Sequence, residues 1–157
     1  MNRISQRLKT FGIVLPTPSV PPAVYSPFHN HKGLITIAGQ PPYENGVPKY
    51  FGKLGTDRSL EEGYDSARTS MLNVLAHLEI ACDGDLSRVI GCVRLLVMVS
   101  AHPDFYDVHK VANGASELIV EVFEHLPAPP RSSFGCAVLP MNITTEVEAS
   151  FLIETAP

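Results

Sequence analysis

At 157 residues, 45% of them hydrophobic and with a formal charge of −4, the chain fits one globular domain with a sizeable core. Its lysines and arginines are scattered rather than clustered, so it lacks the basic footprint of a nucleic-acid binder. No apolar run is long enough to span a bilayer, and the first sixteen residues mix charges with apolar groups instead of forming a leader-like apolar core; the expectation is a cytoplasmic, membrane-free protein.

Ile4 to Phe11 predicts a short helix stopped by Gly12, with Leu8 and Phe11 on its apolar side. Five prolines from Pro16 to Pro27, both ends included, exclude helix there, so residues 1–22 read as a helix plus a Pro-rich extension of a single 1–157 domain. Tyr25 sits in this connector as an anchor with a polar tip. Gly33 to Ala38 is a short apolar strand preceded by a turn at His31-Lys32-Gly33 and ended by Gly39-Gln40-Pro41-Pro42. Asn45-Gly46 signals a reversal, because both residues tolerate positive φ, and Val47 to Leu54, interrupted by Pro48, reads as an edge.

Ser59-Leu60-Glu61-Glu62 is a capping box, opening a helix that runs to about Cys82 on the apolar stripe Ala67, Met71, Val74, Leu75 and Leu78. Arg88 to Val99 is apolar on both alternating faces and predicts a central strand. Phe105 to Phe123 predicts a second long helix, although Asn113-Gly114 in its middle costs roughly 1 kcal/mol against Ala and needs packing or function to offset it. An apolar run from Phe134 to Leu139 and an alternating strand from Thr144 to Ile153 close the chain; on the latter, Glu146 and Glu148 share one face.

The predicted class is therefore α+β: a mostly antiparallel, mixed sheet with two long helices on one face. No helices remain for the other face, and the apolar Ile35, Ile37, Val93, Leu95 and Val97 predict that oligomerisation buries it. If the last two strands pair as a hairpin, Arg131 at the mouth of the first lies near a carboxylate of the second, a place to hold a small carboxylate and a water. The same spacing also fits a surface arginine beside an edge strand.

Other chemistries find no support. Cys82, Cys92 and Cys136 are far apart and include no CxxC, so they read as buried small hydrophobes of a reducing compartment. The six histidines lack metal-ligand spacing, and neither a GxSxG elbow nor a phosphate-cradling glycine loop followed by Lys-Ser/Thr occurs.

Over roughly Ala23 to Ile153 the chain resembles the RidA family, also called the YjgF family, in a longer subgroup. The resemblance is carried by Val24-Tyr25-Ser26, Ile37-Ala38-Gly39-Gln40-Pro41, Ala67 through Leu75, and most specifically Pro130-Arg131-Ser132 with Leu139-Pro140 and Glu146-Val147-Glu148. It implies a chorismate-mutase-like fold and a homotrimer with a central barrel and ligand clefts between subunits. It also implies hydrolysis of reactive enamines and imines, such as 2-aminoacrylate, to 2-keto acids and ammonia, with no metal or organic cofactor. Arg131 matches the arginine that pairs with the substrate carboxylate, a task suited to a planar fork of donors. Glu146 matches the acid that handles the attacking water, and Tyr25 a tyrosine contributed across the subunit boundary. Ser133 takes a position that is often cysteine, and Ala38 precedes Gly39 where serine is usual. Asn113 corresponds to a cleft asparagine, with His109 as the competing alignment. These departures leave open a non-catalytic trimer that binds small carboxylates, or a regulatory one. Ribonuclease activity, a label the family also carries, is disfavoured by the acidic balance.

Overall fold

In the computed structural model, which describes residues 2–155, the first helix, α1 (Arg3–Thr10), starts at Asn2, whose side-chain oxygen accepts the Ser5 N–H at 2.8 Å. Its Ile4 is buried in the main core, and Arg3 and Arg7 both pair with Glu124. The Pro-rich connector follows without regular structure.

Next come β1 (Phe28–His31) and β2 (Leu34–Gln40), an antiparallel hairpin turning through Lys32 and Gly33 with φ of 52° and 91°. The turn is where the sequence places it, but β1 is additional: Phe-His-Asn-His shows no apolar alternation. Tyr43–Glu44 (β3) and Val47–Pro48 (β4) form a separate two-stranded hairpin around Asn45-Gly46, whose φ values of 54° and 80° are those the dipeptide predicts.

Helix α2 (Leu60–Ala81) carries the full capping box: Ser59 accepts the Glu62 N–H and the Glu62 carboxylate accepts the Ser59 N–H. After it come β5 (Val89–Ser100) and then, where one helix over Phe105 to Phe123 is expected, two: α3 (Val108–Val111) and α4 (Asn113–Val122). The break falls at Ala112, just before Asn113, and the glycine that follows has a packing cause. A Cβ on Gly114 would lie 2.1 Å from the Tyr64 carbonyl oxygen, so only glycine lets α4 lie this close against α2.

The last strands are β6 (Arg131–Cys136) and β7 (Thr145–Ile153), and they are not a hairpin. The sheet order is β1-β2-β7-β5-β6; β5 lies between them, parallel to β6 and antiparallel to β7. The cause is the α3–α4 crossover: a strand reached through helices laid on one sheet face returns parallel to the strand it left. Only the β5–β6 pairing is parallel, so the sheet is mixed and mostly antiparallel as expected.

The helices cover one face. Ile35, Ile37, Leu95 and Val97 point into that core, together with Val147, Ala149, Phe151 and the α2 and α4 stripes. Four of the five residues expected on the uncovered face therefore belong to the covered one; only Val93, extruded where the β5–β7 register shifts between Cys92 and Arg94, is half-exposed. The open face instead carries Leu34, Thr36, Leu96, Met98, Phe134, Ser150 and Leu152, a mixed apolar and polar surface on which Leu34, Phe134 and Leu152 are 39%, 46% and 40% exposed.

Candidate functional site

Where the Pro-rich connector crosses the end of β2, it roofs a cavity of about 490 Å³. The roof is fastened by Ala38, whose N–H donates to the Pro27 carbonyl at 2.9 Å. Tyr25, Ala38, Gly39 and Glu146 all line the cavity, so four of the residues singled out in the sequence are gathered in one place by the fold of one chain.

The β2–β7 register explains the contact between two of them. Ile37 pairs with Ala149 but Gln40 pairs with Val147, so β2 carries an irregularity across Ala38-Gly39. Gly39 thereby sits against Glu146: a Cβ there would be 2.1 Å from Glu146 Oε1. Ala38 brings no hydroxyl, and its carbonyl already accepts the Gln40 amide at 2.9 Å. Burial pushes the Glu146 carboxyl above the ordinary carboxylate range, and the neighbouring Glu148 pushes it further the same way. A half-buried acid so placed is suited to accept a proton near neutral pH.

Arg131, Ser133 and Asn113 lie elsewhere. On β6, Arg131 is paired with Leu95 and Ser133 with Val97, both buried beneath the helices, so both side chains leave the sheet on the helix-covered face. The Arg131 guanidinium donates to Ser116 Oγ on α4 at 2.6 Å and to the His109 carbonyl on α3 at 2.7 Å. Asn113 begins α4, one turn before Ser116. The two alignments for the cleft asparagine thus fall on one patch: His109 contributes a carbonyl to Arg131, and Asn113 is its half-buried neighbour.

Glu146 emerges on the other face. Its neighbours Thr145 and Val147 are buried, with Thr145 Oγ1 bonded to Ser66 and Ser70 of α2, so Glu146 between them points to the open side. Within one chain Arg131 and Glu146 are on opposite faces of the sheet with β5 between their strands. The side-by-side placement that a β6–β7 hairpin would give does not exist.

Several lining residues have no counterpart in the sequence reading as site residues. His77, Tyr43, Met141 and the connector's Pro21 and Pro22 line the cavity, and Ser116 orients Arg131. Of these only Ser116 was signalled, by its place in the Asn113-to-Ser116 run. The cysteines offer no nucleophile: burial pushes the Cys82 thiol to about 11 and the Cys92 thiol to about 12, and raises Cys136. Among the described residues no group of three or more His, Cys, Asp or Glu side chains is arranged to hold a metal ion, and no helix is long and apolar enough to cross a membrane.

Comparisons with known proteins agree with this architecture. The family described as "YjgF/chorismate mutase-like, putative endoribonuclease" matches residues 5–151. Protein TCP17 of Trypanosoma cruzi is 34% identical over 148 residues, 94% of this chain and 92% of its own. The crystal structure of a Shewanella oneidensis protein, described as a putative endoribonuclease, superposes with a TM-score of 0.92 at 31% identity, covering 97% of this chain and 100% of that one. At the level of fold alone, Escherichia coli TdcF, crystallised with bound serine, superposes with a TM-score of 0.63 at 19% identity over 90% of this chain and 96% of its own. The chain belongs to the YjgF/chorismate-mutase-like family.

Proposed function

We propose that the protein hydrolyses reactive enamines and imines of the 2-aminoacrylate kind to 2-keto acids and ammonia, in clefts formed between the subunits of a homotrimer. The observation that carries this reading is the division of one chemical task between two faces. Glu146 lines a cavity, half-buried, and Arg131 is held by two hydrogen bonds on the opposite side of the sheet, so neither half is a site alone. A second copy bringing its β6 edge to the cavity of the first would complete it. The small amino acid serine, bound to TdcF, a protein of the same fold, is in keeping with a ligand of this class.

In this reading the Arg131 fork takes the substrate carboxylate through two charge-assisted hydrogen bonds. The enamine tautomerises to the imine by protonation at its terminal carbon. Glu146 accepts a proton from water as the hydroxyl oxygen bonds to the imine carbon. The proton held by Glu146 passes to nitrogen, and as the C–N bond of the adduct breaks the hydroxyl proton follows it there, so that one water is consumed and a keto acid and ammonia leave. Gly39 keeps Glu146 unobstructed, and Tyr25 and the prolines limit access of bulk water. The site would act in the cytoplasm, where such intermediates are shed.

The test generates 2-aminoacrylate from serine with a dehydratase and follows keto-acid release. Added protein is expected to exceed the spontaneous rate, and Arg131→Ala to lose that excess; no acceleration by the wild type would refute the reading. A second reading, a trimer that binds small carboxylates without turnover, is favoured by Ala38, which brings no hydroxyl to the cavity. Calorimetric binding of 2-keto acids without catalysis would select it. Against ribonuclease activity stand the net charge of −4 and the two carboxylates, Glu146 and Glu148, that line the cavity and would repel phosphates. RNA cleavage that survives Arg131→Ala and Glu146→Gln would come from another site.

A further inference from the structure

The break between α3 and α4 leaves a backbone acceptor free. Ala112 still donates to the Val108 carbonyl at 3.1 Å, but the next bond of a continuous helix, from the Asn113 N–H to the His109 carbonyl, is not made. A carbonyl released from its helix in this way takes another donor. The Arg131 guanidinium supplies one at 2.7 Å, reaching over from the edge strand β6. Ser116, in the first turn of α4, accepts an N–H of the other terminal nitrogen at 2.6 Å. The interruption of the helix and the placement of the arginine are therefore one arrangement.

Both anchors are neutral, and the acids within reach are kept away. Three glutamates lie on or just after α4, and each is engaged elsewhere: Glu117 accepts the Tyr64 O–H, Glu121 pairs with Arg68, and Glu124 pairs with Arg3 and Arg7. None of the ion pairs among the described residues includes Arg131. A half-buried guanidinium bonded only to neutral oxygens is fixed in direction without having its charge met. Of the five N–H donors a guanidinium carries, the anchors take two, and the three left suffice for both oxygens of a planar carboxylate. Fixing the side chain in advance also removes the entropy cost of ordering it when a ligand arrives.

Resting on the assignment of Arg131 to the substrate carboxylate, we infer that the α3–α4 junction is a positioning device for that arginine. The His109 carbonyl and the Ser116 hydroxyl aim the guanidinium, and the occupied α4 acids leave its charge for the ligand. Ser116 is then a positioning residue: it acts through Arg131, sets affinity for the carboxylate end of the substrate and touches no reacting atom.

The test measures calorimetric binding of pyruvate and of pyruvamide, which lacks the carboxylate, beside turnover of 2-aminoacrylate. Ser116→Ala is expected to weaken pyruvate binding about tenfold, the worth of one hydrogen bond to a charged group, and to leave pyruvamide binding unchanged. Its kcat/KM is expected to fall about as much, through KM, because the lost contact holds ground state and transition state alike. Ser116→Thr, which keeps the hydroxyl, is expected to bind pyruvate as the wild type does. In Arg131→Ala protein the added Ser116→Ala is expected to weaken pyruvate binding no further, the signature of two groups acting as one. Equal losses for pyruvate and pyruvamide, or additive losses in the double variant, would reduce Ser116 to a structural role and overturn the inference. Unchanged pyruvate binding and KM in Ser116→Ala would overturn it while leaving the deaminase reading intact. A wild type that turns over no 2-aminoacrylate, yet loses pyruvate affinity in Ser116→Ala alone, keeps the positioning device and drops the deaminase. A wild type that neither binds pyruvate nor turns over 2-aminoacrylate refutes both.

Discussion

Glu146 is the residue on which the proposed chemistry turns, and its surroundings make two measurable demands. As a general base it acts only when ionised, so the rate is expected to fall as pH drops through its own raised pKa, at higher pH than an ordinary carboxylate would dictate. Glu146→Gln is expected to lower kcat by about 10²–10⁴-fold while keto-acid binding, measured by calorimetry, survives. The same variant carries a stability signature. A carboxyl whose folded pKa exceeds its unfolded value binds its proton more tightly in the native state, so it opposes folding above that window and ceases to do so below it. Glu146→Gln should therefore match or exceed the wild-type melting temperature at pH 7, and the difference should close as pH falls. Glu62, Asp85 and Glu124 are shifted the opposite way, but they are common to both proteins and cancel. Gly39→Ala tests the contact from the other side: its Cβ would lie 2.1 Å from Glu146 Oε1 and force the carboxylate aside, and displacing a catalytic group by about 1 Å costs about 10²-fold in kcat/KM. At this scale the sequence was legible where a local period governs. The alternation of Thr144 to Ile153 put Glu146 and Glu148 on one face, as they are. His77 was hidden, because a lone histidine beside Val74, Leu75 and Leu78 resembles any buried position of an apolar stripe.

Among the elements, α2 was fully readable, since the Ser59–Glu62 box and a 3.6-residue period are contained in its own residues. The break at Ala112 interrupts a continuous apolar period and so leaves no mark in the second helix's sequence, while the glycine beyond it answers to the Tyr64 carbonyl of another helix. Gly114→Ala is expected to destabilise the protein by about 3 kcal/mol in denaturant unfolding, the upper end of overpacking costs, because the obstructing atom is backbone and cannot rotate away. Helix α1 is held by two kinds of contact whose worth differs. Its pairs with Glu124 end on an exposed carboxylate where solvent screens them and they add little, whereas truncating buried Ile4 removes about 2–5 kcal/mol. Ile4→Ala is therefore expected to lower stability several-fold more than Glu124→Ala when the two unfolding curves are compared. The pairing of β6 and β7 could not be read from their sequences, because strand order is set by the crossover between them and not by either strand's pattern.

The whole molecule is a mixed sheet with helices on one face, a connector-roofed cavity at the end of β2, and an arginine on the far edge strand. Fold class and family were legible, because spaced motifs such as Arg131, Leu139-Pro140 and Glu146-Val147-Glu148 survive without knowledge of pairing. What the sequence could not convey is that these residues point to opposite sides of the sheet, which is why the proposed site draws on two chains. Complementation measures this directly. Arg131→Ala and Glu146→Gln, each inactive alone, are unfolded together at equal concentration, refolded and assayed. In a randomly mixed trimer each cleft draws its arginine from one chain and its carboxylate from the next, so about one quarter of the clefts regain both intact groups and about one quarter of wild-type activity returns. A mixture as inactive as its parents, at a ratio where mixed oligomers are shown to form, would contradict a cleft shared between subunits.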